Sequence, residues 1–148
     1  MSSKVKNRFD FSKTQLKEDS RNTILEILPQ KDDSNATSKT VLIKHDYYAS
    51  DSEHGRELLK TLLRALNKPN ICNLVIYLVD SGTLLLDKDN PLFDSFRPLI
   101  AKSEMIIAAD ESLTFYNIDS GIDPNILIQP FDSIAEDIIL IPDIVILE

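Results

Sequence analysis

From Thr40 onward the chain alternates short, wholly apolar runs with longer stretches of helical period, and this alternation restricts the fold more than any other feature. The short runs are Thr40 to Lys44 (TVLIK), Ile71 to Val79 (ICNLVIYLV), Met105 to Ala109 (MIIAA), Ile126 to Ile128 and Ile144 to Leu147. Nearly every position in them is apolar, where a half-exposed strand would alternate. That is the pattern of a parallel strand covered on both faces. Between the runs, Leu58, Leu59, Leu62, Leu63 and Leu66 fall on one helical face. Leu92, Phe93, Phe96, Leu99 and Ile100 make a second face, and Phe131, Ile134, Ala135, Ile138 and Ile139 a third. The expected fold is α/β, a three-layer α/β/α arrangement with a mostly parallel sheet of about five strands joined by right-handed crossovers. A chain of 148 residues, 43% of them apolar, can bury such a core in one domain.

Turn and cap residues punctuate this pattern. Ser50 and Glu53 have capping-box spacing before the first helix. Gly55, in that helix's first turn, permits close approach of a strand or a ligand. Asp80-Ser81-Gly82 reads as a turn, and Asn90-Pro91 as an N-cap with proline at the first helical position. Pro98 should kink or split the second helix. Pro130 opens the last helix and Pro142 stops it.

Residues 1–39 read as an appendage and linker, and residues 40–148 as the α/β domain. Pro29 to Lys39 is polar and aperiodic. Thr23 to Leu28 (TILEIL) is an added edge strand or a helical turn, and Phe9 and Phe11 are candidates to pin the arm to the body. The sequon Asn35-Ala36-Thr37 is read as chance, because nothing resembles a secretion signal.

Charge narrows the partners. Residues 1–21 hold six Lys and Arg against three acids, so the net charge of −8 leaves −11 on the rest. An acidic body repels phosphates and anionic lipid, so neither nucleic acid nor membrane is an expected partner. No apolar run approaches the roughly 20 residues of a membrane span. A cytoplasmic location is expected. The single cysteine, Cys72, excludes a disulfide within the chain and any Cys-rich metal site.

Parallel sheets place ligands at the C-terminal ends of their strands. The candidate crevice there comprises His45, Asp46, Asp80, Ser81, Gly82, Asp110, Glu111 and Ser112, with Gln129 beside them. Convergence of Asp46, Asp80 and Asp110 would offer oxygen ligands to Mg²⁺. Acids also favour loops and helix starts for unrelated reasons, and no metal or cofactor is expected. A phospho-receiver reading fails for want of a lysine after the last strand. His45 and His54 with Ser112 allow a hydrolase triad on paper, but Ser112 lies in Asp-Glu-Ser-Leu-Thr, not in a nucleophile elbow. His54 more simply caps or packs the helix start. Only Gly55, Gly82 and Gly121 are present, too few for a phosphate-cradling loop.

A set of motifs then carries a resemblance. Glu53-His54-Gly55-Arg56-Glu57-Leu58 follows the first strand, Asp80-Ser81-Gly82-Thr83 ends the second, and the third leads to Leu113-Thr114-Phe115-Tyr116. In order and spacing, Thr40 to Leu147 resembles the DsrE-like family, nearest to the C-terminal domain of the YedF type, described as sulfurtransferase-like. That family often shows a Cys-Gly-Thr-Cys-Leu-type junction after its third strand. Matching Leu113 and Tyr116 to it sets the two cysteines against Ala109 and Ser112. YedF-type proteins also carry an N-terminal sulfur-carrier domain with a Cys-Pro motif, which the cysteine-free residues 1–39 do not supply.

The resemblance therefore implies the fold and a homo-oligomer without the usual chemistry. Sulfur transfer needs a thiolate that can become a persulfide, and neither alanine nor serine replaces it. The expected function is a DsrE-like domain without sulfurtransferase activity, an oligomeric binding or accessory protein. Tyr47, Tyr48, Phe115 and Tyr116 are its expected contact aromatics. One alternative is an enzyme or metal-dependent small-ligand binder using the acidic strand ends. Another is a sulfur carrier through Cys72, although a small buried hydrophobe in a strand is the plainer reading of that residue.

Overall fold

The computed structural model describes residues 36–118 and 123–148, together with the backbone of 9–10 and 12–17. The chain divides into two compact units, Met1–Ala36 and Thr37–Glu148. In the first, β1 (Phe9–Asp10) and β2 (Ser12–Lys17) pair with each other. The packing of Phe9 and Phe11 and the Thr23 to Leu28 run lie outside the described residues.

The second unit runs β3 (Thr37–Ile43), α1 (Glu53–Leu66), β4 (Ile71–Leu78), a 3₁₀ helix (Asp80–Leu86), α2 (Phe93–Lys102), β5 (Met105–Ala109), α3 (Asp110–Phe115), β6 (Ile126–Gln129), α4 (Phe131–Leu140) and β7 (Ile144–Leu147). Its five strands form one sheet in the order β6-β5-β4-β3-β7, every pair parallel. The expected α/β class and five-stranded parallel sheet are what the chain adopts.

This topology decides which helices share a face. From β3 to β6 each strand is laid down on the same side of the one before, and the β6-to-β7 connection then returns across the whole sheet. With right-handed crossovers, reversing direction moves the connecting helix to the other face. Side-chain alternation agrees. Val41, Ile43, Leu74, Ile76, Leu78, Ile106 and Ala108 point to a core shared with Leu59 and Leu63 of α1, Phe96 and Leu99 of α2 and Leu85 of the 3₁₀ helix. Leu42, Tyr77, Ile107 and Ala109 point the other way, onto Ile134 of α4.

Local details depart from the sequence expectations in instructive ways. β3 begins at Thr37, inside the expected linker, because Thr37 and Ser38 pair with Ile71 and Cys72 despite their polarity. The N-cap of α1 is Ser52, whose Oγ accepts from Gly55 N at 3.0 Å, and the Ser50 hydroxyl bonds to that of Ser52. Gly55 faces loop backbone, not a strand or ligand: a Cβ there would lie 1.8 Å from the Ser50 carbonyl oxygen. α2 starts at Phe93, two residues beyond Pro91, since Asn90 closes a turn with its Oδ1 accepting from Leu92 N. Pro98 lies within α2, which continues through it as one element. The Asp80-Ser81-Gly82 turn is the first part of a seven-residue 3₁₀ helix.

Candidate functional site

The crevice grows from the ends of β3, β4 and β5. β4 runs to Leu78, and Asp80 then turns the chain with a positive φ of 50°. Asp is among the few side chains that tolerate this region. The next two residues fold directly against the end of β3. Gly82 N donates to Lys44 O at 3.2 Å and Val79 O at 2.9 Å. A Cβ on Gly82 would lie 2.3 Å from Ile43 O, so glycine is what lets the 3₁₀ helix seat there. The role of Gly82 is thus to bring its neighbour Ser81 beside His45.

Four of the sequence candidates form a connected set. The imidazole Nδ1 of His45 lies 3.0 Å from Ser81 Oγ and 4.0 Å from Asp80 Oδ2. Asp80 N donates to Ser112 Oγ at 2.8 Å. Ser81 is buried, His45 is half-buried, and Asp80 is exposed. A hydroxyl, an imidazole and a carboxylate are therefore held at one point, with the carboxylate facing solvent.

Two aromatic side chains complete the set. Tyr116 OH donates to Asp80 Oδ1 at 3.0 Å. Burial first, then the bond to the Asp80 carboxylate, pushes the Tyr116 phenol above its ordinary range. Tyr47 stacks on His45, ring centroids 4.6 Å apart and nearly parallel. Both residues were expected as interface aromatics; within the chain they make these contacts. The available signal for Tyr116 was its position four residues after Ser112 on a short helix, which puts the two on one face.

The remaining candidates do other work. Asp46 accepts from Asn90 Nδ2 at 3.0 Å, tying the β3 loop to the turn before α2. Glu111 accepts from Phe131 N at 2.8 Å and so satisfies the first turn of α4. Asp110 opens α3, exposed, and no hydrogen bond joins it to the set. The convergence of Asp46, Asp80 and Asp110 that a cation would need is not found among the described residues. Among the described residues no group of three His, Cys, Asp or Glu could hold a metal ion. The triad drawn through Ser112 also fails, because Ser112 binds backbone and the hydroxyl on His45 belongs to Ser81. His54 is exposed in the first turn of α1.

Ala109 ends β5, 1% exposed, and serves as the N-cap residue of α3. A methyl group therefore stands at the junction of β5 and α3. Cys72 lies near the start of β4, paired with Ser38 at the other end of the sheet, and is half-buried where full burial was expected.

No family model matches the chain, and no curated protein matches it. Solved structures do. A protein of unknown function, MTH1491 from Methanobacterium thermoautotrophicum, superposes with a TM-score of 0.52 at 13% identity, covering 74% of this chain and 97% of that one. The ychN protein from E. coli also superposes with a TM-score of 0.52, at 12% identity, covering 75% of this chain and all of its own. Identity at this level speaks to the backbone alone. The chain shares its architecture with these two structures and has a DsrE-like fold.

Proposed function

We propose that this chain is a DsrE-like protein related to the YedF type that has no sulfurtransferase activity and acts as an oligomeric binding or accessory protein in the cytoplasm. One observation carries the reading. Where persulfide chemistry needs a thiolate at the crest of β5, Ala109 is buried and Ser112 is occupied by the backbone N–H of Asp80. The polar groups at the crest instead make a fixed receptor of imidazole, hydroxyl and carboxylate. Nδ1 of His45 is committed to Ser81, and Nε2 has no partner among the described residues. Such a set suits recognition of a small polar ligand without bond-making. Phe115 supports assembly at this edge: it is 76% exposed, beside Tyr116.

Incubation with a polysulfide donor followed by intact mass measurement tests the chemistry. The expected result is an unchanged mass and no transfer to a thiol acceptor. An added sulfur on Cys72 that is passed to an acceptor would restore the sulfur-carrier reading. Light scattering at micromolar concentration tests assembly. The expected result is an oligomer that Phe115→Ser weakens, and a monomer mass would remove that part of the proposal.

A further inference from the structure

The second face of the sheet carries a surface that the crevice does not use. Among the described residues α4 is the sole helix on that face, and it is ten residues long against five strands. At about 1.5 Å per residue and about 10 Å across, it spans roughly two strands at about 4.8 Å spacing. Apolar side chains remain open around it. Ile139 is 82% exposed and Leu140 78%, and Leu127 of β6 and Ile146 of β7 are more than two-fifths exposed on the flanking strands. A shallow groove of about 360 Å³ is lined by Ala135, Glu136, Ile139 and Leu140. Ile139 and Leu140, adjacent in sequence and lining one groove, form the apolar centre of a site of protein contact, with Leu127 and Ile146 on the two edge strands.

Charge selects the occupant. From Ser103 to Glu148 the chain has ten Asp and Glu and no Lys, Arg or His. α4 itself carries Asp132, Glu136 and Asp137 and no cation. Lys44, which follows β3 beside β7, is paired with Glu148 at 2.7 Å. A second copy packed helix to helix would set these carboxylates against their own kind. A partner helix with an apolar stripe flanked by Lys and Arg would bury Ile139 and Leu140 while meeting the acids at its rim.

We infer that the outer surface of α4 is a docking site for a basic amphipathic helix of another protein. The inference is independent of the crevice reading, since it uses none of His45, Asp80, Ser81, Ser112 or Tyr116.

The test uses the full chain and a fluorescein-labelled synthetic peptide with Leu at helical i, i+3, i+4 spacing and Lys elsewhere. A peptide of the same pattern with Glu for Lys is the control. Fluorescence anisotropy should show saturable one-to-one binding of the Lys peptide and none of the Glu peptide. The double substitution Ile139→Ser with Leu140→Ser leaves the charge unchanged and removes surface groups only. It should weaken binding about tenfold or more. Absence of binding overturns the proposal. So does undiminished binding to the double variant, which would mean charge attraction alone. An oligomer of the unaltered chain that the double substitution dissociates would show that a second copy covers α4, and this too overturns it. An oligomer that survives the substitution, with peptide still bound by the unaltered chain, agrees with it.

Discussion

The two faces of the sheet are built from the same five strands yet differ in how they are covered. On the first face α1, α2 and the 3₁₀ helix bury a core that includes Val41, Ile43, Leu59, Leu63, Leu74, Ile76, Leu78, Leu85, Phe96 and Leu99, all without exposed surface. On the second, α4 contributes one fully buried residue, Ile134, over Leu42, Tyr77, Ile107 and Ala109. Ile138 packs partly buried beside it, and two polar contacts add to this: Tyr77 OH donates to Asp137 Oδ2 at 2.9 Å and Phe131 N to Glu111. The first face supplies stability and fixes the strand ends that hold the crevice. The second is held at a few points and keeps apolar surface open.

The largest effect expected from this difference is on the first face, at the seam between α1 and its preceding loop. Gly55→Val adds atoms where a Cβ already meets the Ser50 carbonyl oxygen at 1.8 Å. Forcing that backbone apart should cost about 3 kcal/mol or more, beyond the usual range for overpacking. A chemical denaturation curve with an unchanged midpoint would show that the loop has room to move.

Core truncations come next and compare the faces directly. Leu59→Ala and Leu63→Ala should each cost about 2–5 kcal/mol. Ile134→Ala should fall in the same range, because it is the only fully buried side chain that α4 places on the second face. If Ile134→Ala melts like the unaltered protein, α4 is held by something other than this contact.

Tyr77→Phe is a smaller and pH-dependent test. Burial, then the bond and the charge of Asp137, push the Tyr77 phenol up to about 12. An acid with a raised folded pKa stabilises the fold in its protonated form. The contribution is therefore complete below the unfolded value near 10 and is lost as pH rises from about 10 through about 12. Tyr77→Phe should cost about 1–2 kcal/mol at neutral pH, for one hydrogen bond to a carboxylate. It should also remove part of the fall in stability that the unaltered protein shows at alkaline pH. Parallel slopes in that range for both proteins would disprove the coupling.

The smallest effect is the one that most sharpens the contrast. Ile139→Ser removes a large apolar side chain from the same helix as Ile134, but that side chain is 82% exposed. Stability should change by no more than about 0.5 kcal/mol. A loss comparable with Ile134→Ala would mean that the outer surface of α4 is packed in solution.

The crevice shows how far pattern reading reaches toward a site. Strand ends in a parallel sheet are predictable, so His45, Asp80, Ser81 and Ser112 were legible as neighbours from their positions after apolar runs. Their pairing was not. Whether His45 meets Ser81 or Ser112 depends on the 3₁₀ turn that Gly82 permits and on the positive φ at Asp80. Neither leaves a periodic trace. Glu111 looked like a crevice acid and proved to serve α4, since helix starts recruit carboxylates for reasons unconnected with a ligand.

The sequence by itself determined the layers. Largely apolar runs of three to nine residues require cover on both sides, and helical-period segments between them require parallel order. Met105–Ala109 and Ile144–Leu147 could be placed to the residue for that reason. Only the tertiary structure decided how much cover each face receives. Phe131, Ile134, Ala135, Ile138 and Ile139 read as one buried stripe, yet Phe131 is 44% exposed and Ile139 82%. Periodicity records which residues share a side of a helix. How much sheet lies beneath them follows from strand order, and here the returning connection from β6 to β7 leaves one short helix to cover a face of five strands.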